Sequence, residues 1–265
     1  MLGSLLSKAA TVGWYLGHPS LYKELGRRVR GFKVSTEASR QEAARRRAEG
    51  QRWCAAHAGP VVEFAEALAL PTEIVPIEQA FPREWGFALG AESQCPVAVG
   101  GPGHLDLLYH IARHLNAERA IETGVANGWS TLALLLAMHR VPGARLVSVD
   151  MPYAKLGNDR FVGCVVAPHL RDGWTLVRKP DRDALPEVLA ELDRIDLAHY
   201  DSDKTYEGRM FAYPLLWGRL RPGGVLISDD IEYDDGFAEF AASVGRRAWV
   251  FEKPIRSNYC GALIK

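Results

Sequence analysis

The sequence is poor in cysteine, with four residues in a chain of 265. Cys54, Cys95, Cys164 and Cys260 lie far apart, and no C-x-x-C pair occurs. A secreted disulfide framework or a structural zinc site needs more closely spaced thiols, so this pattern argues against both. We therefore expect reduced thiols and a cytoplasmic protein.

Long apolar runs are also missing. No segment approaches the ~18 consecutive apolar residues of a transmembrane helix. The opening segment MLGSLLSKAATVGWYLG lacks the basic start and the uninterrupted apolar core of a signal peptide. With 48% hydrophobic and 24% charged residues, the chain has the composition of a globular protein with one sizeable domain and an appendage, or with two small domains.

The chain has no net charge, because 32 basic residues balance 32 acidic ones. We therefore expect no nucleic-acid partner, since nucleic-acid binding is typical of a basic surface. Residues 1–60 nevertheless hold 11 Lys or Arg against 4 Glu, so a basic arm precedes an acidic body. We interpret Arg45–Arg47 in this arm as a solvated helix face. A contact with a membrane, an anionic substrate or another subunit is the alternative.

Two regions differ in their patterns. Residues 1–58 have helical spacing, with Ser35 or Thr36 as a cap for the second helix, and residues 61–70 predict a short apolar helix. The prolines that follow, up to about residue 100, predict an irregular connector or lid. We expect residues 1–95 to form a basic helical extension that covers a site or makes a homo-oligomer, and residues 96–265 to form the main domain.

From about residue 104, apolar strands alternate with helices, from LDLLYHIARHL through RAIETG, STLALLLAM and ARLVSVD to GGVLISDD. This alternation predicts an α/β fold with a doubly wound, mostly parallel sheet covered on both faces. The last two strands, RAWVFEK and CGALIK, have no helix between them. They predict an antiparallel C-terminal strand at one edge of the sheet.

The ends of the first two strands predict a cofactor site, because ligands of such sheets bind at the carboxyl ends of the strands. The first strand leads into ETGVANGWS, and the second ends in Asp150, which would accept hydrogen bonds from ribose hydroxyls. The dinucleotide fingerprint G-x-G-x-x-G is absent, because positions 122 and 127 are Glu and Asn. An acid at Glu122 would repel a pyrophosphate and suit a cation. S-adenosylmethionine (SAM) has a ribose, a sulfonium and an ammonium, and no phosphate.

Carboxylates follow the fourth and fifth strands, as Asp201 and Asp203 and as Asp229 and Asp230. If the two strands are neighbours, these groups meet at one edge of the sheet, where they repel each other unless a cation binds. Such oxygen ligands suit Mg²⁺, Mn²⁺ or Ca²⁺. The alternative is that Asp229 and Asp230 only cap a turn or the next helix.

Four segments in this order resemble the class I SAM-dependent methyltransferases, and in particular the bacterial metal-dependent O-methyltransferases that act on sugars and other natural products. They are AIETGVANGWSTLALL, LVSVD, IDLAHYDSDKTYEG and LRPGGVLISDD. The resemblance covers roughly residues 100–265 and implies a methyltransferase domain over 96–265. It implies that Asp150 binds the ribose and that Asp181 lies near the adenine. Around the methionine part it implies Glu122, Gly124, Asn127, Gly128 and Ser130.

The chemistry expected is transfer of a methyl group to a small-molecule hydroxyl that a divalent ion activates. Asp201, Asp229 and Asp230 are the expected metal ligands. The family usually reads Asp-Gly-Asp-His where this chain has Asp201-Ser202-Asp203-Lys204, so Asp203, Lys204 or a histidine is the expected base. Among the histidines, His199 is interpreted as a packed strand residue, and His104 is a candidate for substrate contact.

A phosphatase of the haloacid dehalogenase type is the alternative, because Asp201–Thr205 fits D-x-D-x-T. In that class the box opens the core domain, whereas three strand units precede it here. The phosphatase reading also leaves Glu122–Ser130 and Asp150 without a role.

Overall fold

The computed structural model describes residues 10–34, 37–70, 75–97, 99, 101, 103–154, 157–253 and 258–265. Residues 10–16 are helical and are called α1. The further α-helices of the described residues are α2 Tyr22–Val34, α3 Glu37–His57, α4 Val61–Ala67, α5 Ile77–Ala80, α6 Pro82–Glu92, α7 Leu105–His114, α8 Trp129–Met138, α9 Asp181–Ala190, α10 Tyr206–Arg219 and α11 Gly236–Ser243. Short 3₁₀ turns lie at Pro19–Leu21, Asp159–Phe161, Pro168–Leu170 and Ile231–Tyr233.

Seven strands of the described part of the chain form one sheet in the order β3-β2-β1-β4-β5-β7-β6. They are β1 Arg119–Thr123, β2 Arg145–Val149, β3 Trp174–Val177, β4 Ile195–Tyr200, β5 Leu220–Ser228, β6 Trp249–Glu252 and β7 Tyr259–Ile264. The first five are parallel, and β7 is antiparallel to both of its neighbours. The doubly wound, mostly parallel sheet with an antiparallel C-terminal strand is thus confirmed. The edge position of that strand is wrong, because β7 lies between β5 and β6.

A hydrophobic core lies on each face of the sheet. The buried strands contribute side chains to both cores, because successive side chains point to opposite faces. Ala120 and Leu197 pack in the core that includes α7 and α8, whereas Ile121 and Ala198 pack in the core that includes α9, α10 and α11. Burial on both faces accounts for the near-continuous apolar runs of β4 and β5. The two cores fix the strand ends from which the candidate site is built.

The expected irregular connector between residues 71 and 100 is wrong over part of its length, because α5 and α6 lie there. Pro76 precedes α5 and Pro82 occupies the first turn of α6, where a missing N–H costs no helical hydrogen bond. The prolines therefore begin helices. Ile77 and Ala88 from these helices belong to the same core as the α7 and α8 residues. The division at residue 95 stays a prediction.

The basic arm lies on the acidic body. Arg46 bonds Asp235 at 2.6 Å and Glu239 at 3.3 Å, and its guanidinium lies 3.6 Å from the centre of the Tyr206 ring. Arg47 lies over Tyr233. The interpretation of Arg45–Arg47 as a solvated face is therefore wrong for Arg46, whose partners are acids that the chain itself supplies.

The predicted caps Ser35 and Thr36 lie outside the described residues. Within the described part of the chain, no helix is both long enough and apolar enough to cross a membrane.

Candidate active site

A cleft of about 1050 Å³ opens at the carboxyl ends of the parallel strands. The order of strands reverses between β1 and β4, which is where open α/β sheets bind ligands. Most of the residues expected at the site line this cleft: Gly124, Asn127, Gly128, Ser130, Asp150, Asp181, Asp201, Asp203, Lys204 and Asp229. Glu122 and Asp230 are not among the lining residues.

The turn after β1 needs its glycines for close packing of the protein on itself. Gly124 has φ +80°, and a Cβ there would lie 2.1 Å from the carbonyl oxygen of Asp201. Gly128 has φ +98° and begins α8, and a Cβ there would lie 2.8 Å from the Cα of Gly163. The tight turn brings the end of β1 against the end of β4, so the two predicted halves of the site share one cleft.

Asp150 is almost fully buried and ties the second strand to this turn. Its Oδ1 accepts a hydrogen bond from the backbone N–H of Val125 at 3.1 Å, and Arg178 donates to its Oδ2. Burial raises the pKa of Asp150, against the opposing effects of Val125 and Arg178. The carboxylate is therefore held in a fixed orientation at the wall of the cleft.

Glu122 lies behind this wall. It is fully buried, and its Oε2 accepts hydrogen bonds from Thr131 at 2.6 Å and Ser148 at 2.7 Å. Its Oε1 is 3.6 Å from His199 Nδ1, which is longer than a hydrogen bond. Burial lowers the pKa of His199, but the charges of Glu122, Asp229 and Asp201 outweigh it, and the pKa is raised. The structure thus places Glu122 away from the lining expected around the methionine part, within reach of His199.

Asp181 is at the start of α9, on the same side of the cleft as Asp150. Ser202 donates a hydrogen bond to its Oδ2. Desolvation by burial, together with the nearby carboxylates of Asp203 and Asp150, raises the pKa of Asp181 to about 7 against the opposing Ser202 hydrogen bond. Asp181 can therefore present either a donor or an acceptor near neutral pH.

Asp203 hydrogen-bonds Thr205, the residue that caps the start of α10. Its Oδ1 accepts hydrogen bonds from the backbone N–H of Thr205 at 3.1 Å and from its hydroxyl at 2.8 Å. The Thr205 hydroxyl in turn caps the helix by accepting from the N–H of Gly208 at 3.1 Å. The box Asp201–Thr205 thus forms a capped helix start, and nothing in this arrangement favours the phosphatase alternative.

The expected metal ligands do not converge on a common point. Lys204 Nζ is 3.0 Å from Asp201 Oδ1 and also contacts Asp230 Oδ2. Lys253 Nζ is 2.7 Å from Asp229 Oδ2 and 3.1 Å from Asp230 Oδ1. Among the described residues, no group of three His, Cys, Asp or Glu side chains could hold a metal ion. As arranged here, the three carboxylates do not fit a divalent ion.

Arg209, which is fully buried, holds the turn after β5 that carries Asp229 and Asp230. Its guanidinium donates to the carbonyl oxygen of Asp230 at 2.6 Å, to Tyr213 at 2.8 Å and to Asp234 at 3.2 Å. Asp230 has φ +51°, a left-handed conformation that costs energy outside glycine. The Arg209 contacts therefore hold the turn after β5 in this conformation.

His104 lines the cleft and has an unpaired ring nitrogen. Among the described residues, no hydrogen-bond partner reaches its buried Nε2. Burial lowers the pKa of His104, against an opposing effect of Asp229. The ring is therefore neutral at physiological pH and can accept a proton.

Other cleft residues gave no signal in the sequence. Arg27 of α2 lines the cleft and makes a two-pronged contact with Asp183 of α9, at 3.1 and 2.5 Å. Arg28, from the same helix, lies against Met151 at 3.9 Å from its sulfur. Only the fold reveals these contacts, because the partners lie 156 and 123 residues apart in the chain.

Part of the chain is similar to known methyltransferases. Residues 121–231 match the family described as "Methyltransferase domain". Over 122 residues the chain is 34% identical to a mouse (Mus musculus) protein, "Catechol O-methyltransferase domain-containing protein 1", a match that spans 45% of this chain and 44% of the mouse protein. The chain thus matches less than half the length of this curated relative.

Two solved structures share the fold. The O-methyltransferase from Bacillus cereus, solved with SAH, has a TM-score of 0.53 at 17% identity, over 77% of this chain and 97% of that one. The O-methyltransferase TomG from Streptomyces achromogenes, solved with SAM, has a TM-score of 0.54 at 19% identity, over 82% and 99%. The chain therefore shares the fold of these two proteins, and residues 121–231 are similar to a methyltransferase domain.

Proposed function

We propose that this protein is a SAM-dependent O-methyltransferase that methylates a hydroxyl of a small molecule, either a saccharide or another hydroxylated natural product. The observation that carries this proposal is one cleft lined by two sets of residues. Asp150 and the glycine turn follow β2 and β1 and adjoin Asp181, and the charged residues of the other set follow β4 and β5 on the far side of β1 in the sheet. The first set suits the cofactor, and the second suits the acceptor.

In the cofactor half, Asp150 accepts hydrogen bonds from the ribose hydroxyls. The Val125 N–H and Arg178 use two of the roughly four acceptor positions of its carboxylate, so acceptor capacity remains. Asp181 lies beside it and accepts from an amino group such as that of adenine. The turn from Gly124 to Ser130 then faces the amino-acid part of SAM. The cofactor supplies the methyl group, and the protein positions the acceptor in line with the bond that breaks.

In the acceptor half, a base takes the hydroxyl proton and a positive charge stabilises the oxygen. His104 is the base, because it lines the cleft and its buried Nε2 has no hydrogen-bond partner among the described residues. Lys204 supplies the charge. Burial lowers the pKa of Lys204, but Asp201 and Asp230 outweigh it and the pKa is raised, so the ammonium donates a hydrogen bond to the developing alkoxide.

Two measurements test this function. Isothermal titration should show that SAH binds with one site per chain, whereas NAD does not bind. Labelled SAM should then transfer its methyl group to at least one member of a panel of sugars and polyhydroxylated natural products. An absence of SAH binding at saturating concentration would overturn the proposal. SAH binding together with methylation only at nitrogen or carbon would keep the cofactor and overturn the acceptor.

A further inference from the structure

We propose that Lys253 is a built-in counter-ion which takes the place of a divalent cation beside Asp229 and Asp230, so that this methyltransferase works without a metal. The ion pairs themselves stand independently of the proposed function, and only the catalytic consequence rests on it. The sequence predicts a metal from three carboxylates, and the structure pairs these carboxylates with Lys204, expected there only as a candidate base, and with Lys253, which was not predicted for the site.

The five charged groups form one chain of alternating sign. Asp201 contacts Lys204, Lys204 contacts Asp230, Asp230 contacts Lys253, and Lys253 contacts Asp229. Both carboxylate oxygens of Asp230 have partners. Oδ2 contacts Lys204, and Oδ1 accepts from Lys253 and from the Asn258 side-chain amide at 3.0 Å. A metal bound by all three aspartates would have to displace an ammonium from each of them.

The fold delivers Lys253 to this position. β6 runs parallel to β5, since both are antiparallel to β7, so the end of β6 lies at the same edge of the sheet as Asp229. Lys253 follows β6 directly, and only 13% of its side chain is exposed. A lysine that is packed in this way is part of the site and is not a mobile surface charge that swings in from solvent.

The net charge of these five groups explains why replacing Lys253 should turn the cluster into a metal-binding site. With both lysines protonated, three carboxylates and two ammoniums leave a single negative charge, which attracts a divalent ion weakly. Without Lys253 the balance is two negative charges, and two carboxylates, Asp229 and Asp230, lose their shared partner. Carboxylates in that state favour Mg²⁺ or Mn²⁺.

Titration of the purified protein with Mn²⁺, followed by electron paramagnetic resonance of the free ion, tests the proposal without any need for turnover. The wild type should bind no Mn²⁺ tighter than about 1 mM, the weak end of protein sites for such hard cations. Lys253→Met should bind one Mn²⁺ at least about tenfold tighter, because a positive charge has been removed from the cluster. Lys253→Arg keeps the charge and should behave as the wild type does.

Lys179→Met is the matched control, because Lys179 pairs with the exposed Glu187 outside the cleft. Lys253→Gln is the second variant for the case in which the methionine does not fold. Tight, stoichiometric Mn²⁺ binding by the wild type would overturn the proposal, as would equal weak binding by Lys253→Met and Lys253→Gln when both are folded. If the protein transfers methyl groups, its rate should be the same with and without EDTA, and a loss of rate in EDTA would overturn the catalytic part alone.

Discussion

The Oδ1 of Asp150, at the end of β2, accepts a hydrogen bond from the backbone N–H of Val125, in the turn after β1, at 3.1 Å. This hydrogen bond joins Asp150 to the glycine turn, although Val125 lies 25 residues earlier in the chain. Arg178, just after β3, contacts the other oxygen. Three consecutive strand ends meet at Asp150, which makes this residue the structural centre of the proposed cofactor half.

Replacing Asp150 by Asn should weaken SAH binding by about 10- to 100-fold, because a hydrogen bond to a charged group contributes about 1.5–3 kcal/mol. Isothermal titration measures the affinity, and circular dichroism checks that the variant folds. Asp172→Asn, at an exposed position, is the matched control and should bind as the wild type does. An unchanged affinity in folded Asp150→Asn would show that the ribose is bound elsewhere.

Replacing His104 by Gln should lower kcat by about 100- to 10,000-fold, the usual contribution of a general base. SAH affinity should stay within about twofold, since His104 lies in the acceptor half. Because burial lowers the pKa of His104, the wild-type rate should stay level from neutral pH downward and fall only below the ordinary histidine range. Initial rates against pH provide the check. His114→Gln, from the end of α7, is the control, and an unaltered pH profile in His104→Gln would rule out this base.

Gly124→Ala and Gly143→Ala separate backbone strain from steric clash. Both glycines have positive φ, at +80° and +70°, but only Gly124 has an atom within 4 Å of the position that a Cβ would take. Gly143→Ala should cost about 1–2 kcal/mol of unfolding free energy from the left-handed conformation alone. Gly124→Ala should cost about 1–3 kcal/mol more, because the Cβ meets the Asp201 carbonyl. Urea unfolding measures both variants. Equal losses would mean that the turn moves away from β4 without penalty.

Asp181 should make stability fall as pH rises. Its pKa is raised from 3.8 to about 7 by desolvation, so between these values the folded state holds a proton that the unfolded state has lost. The contribution of Asp181 is complete below pH 3.8 and disappears as pH passes about 7. Asp181→Asn cannot titrate, so its stability relative to the wild type should increase across this window.

The expected gain of Asp181→Asn at pH 8 is about 1 kcal/mol. This is well below the roughly 4 kcal/mol that a shift of about three pKa units would give at about 1.4 kcal/mol per unit, because the half-buried side chain lines the cleft and keeps part of its hydration. Thermal unfolding at pH 5 and pH 8 measures the difference, with the exposed Asp193→Asn as control. If the gain is the same at both pH values, the effect does not come from titration of Asp181.

The sequence predicted the alternating strands and helices because each element carries its own pattern. The apolar runs of β4 and β5 and the helical spacing of α7 and α8 are local features. The same holds for the acids at strand ends, since a carboxylate that follows a buried strand can be recognised in a single sequence. Asp150 and Asp201 were found in this way. The helices α5 and α6 were missed because a proline reads as a helix breaker unless its position in the first turn is known.

By itself, the sequence thus determined the class I fold, the edge of the sheet at which the site lies, and the carboxylates that occupy it. Only the tertiary structure decided what neutralises those carboxylates. Whether Lys253 reaches Asp229 depends on β7 lying between β5 and β6, which turns the end of β6 toward the site. Strand order is a property of pairing between distant segments, and the spacing of residues along the chain does not record it. The same reason applies to the position of Glu122. The resemblance implies that this residue lies beside the cofactor, whereas the structure shows it hydrogen-bonded to Thr131 and Ser148 behind the wall of the cleft.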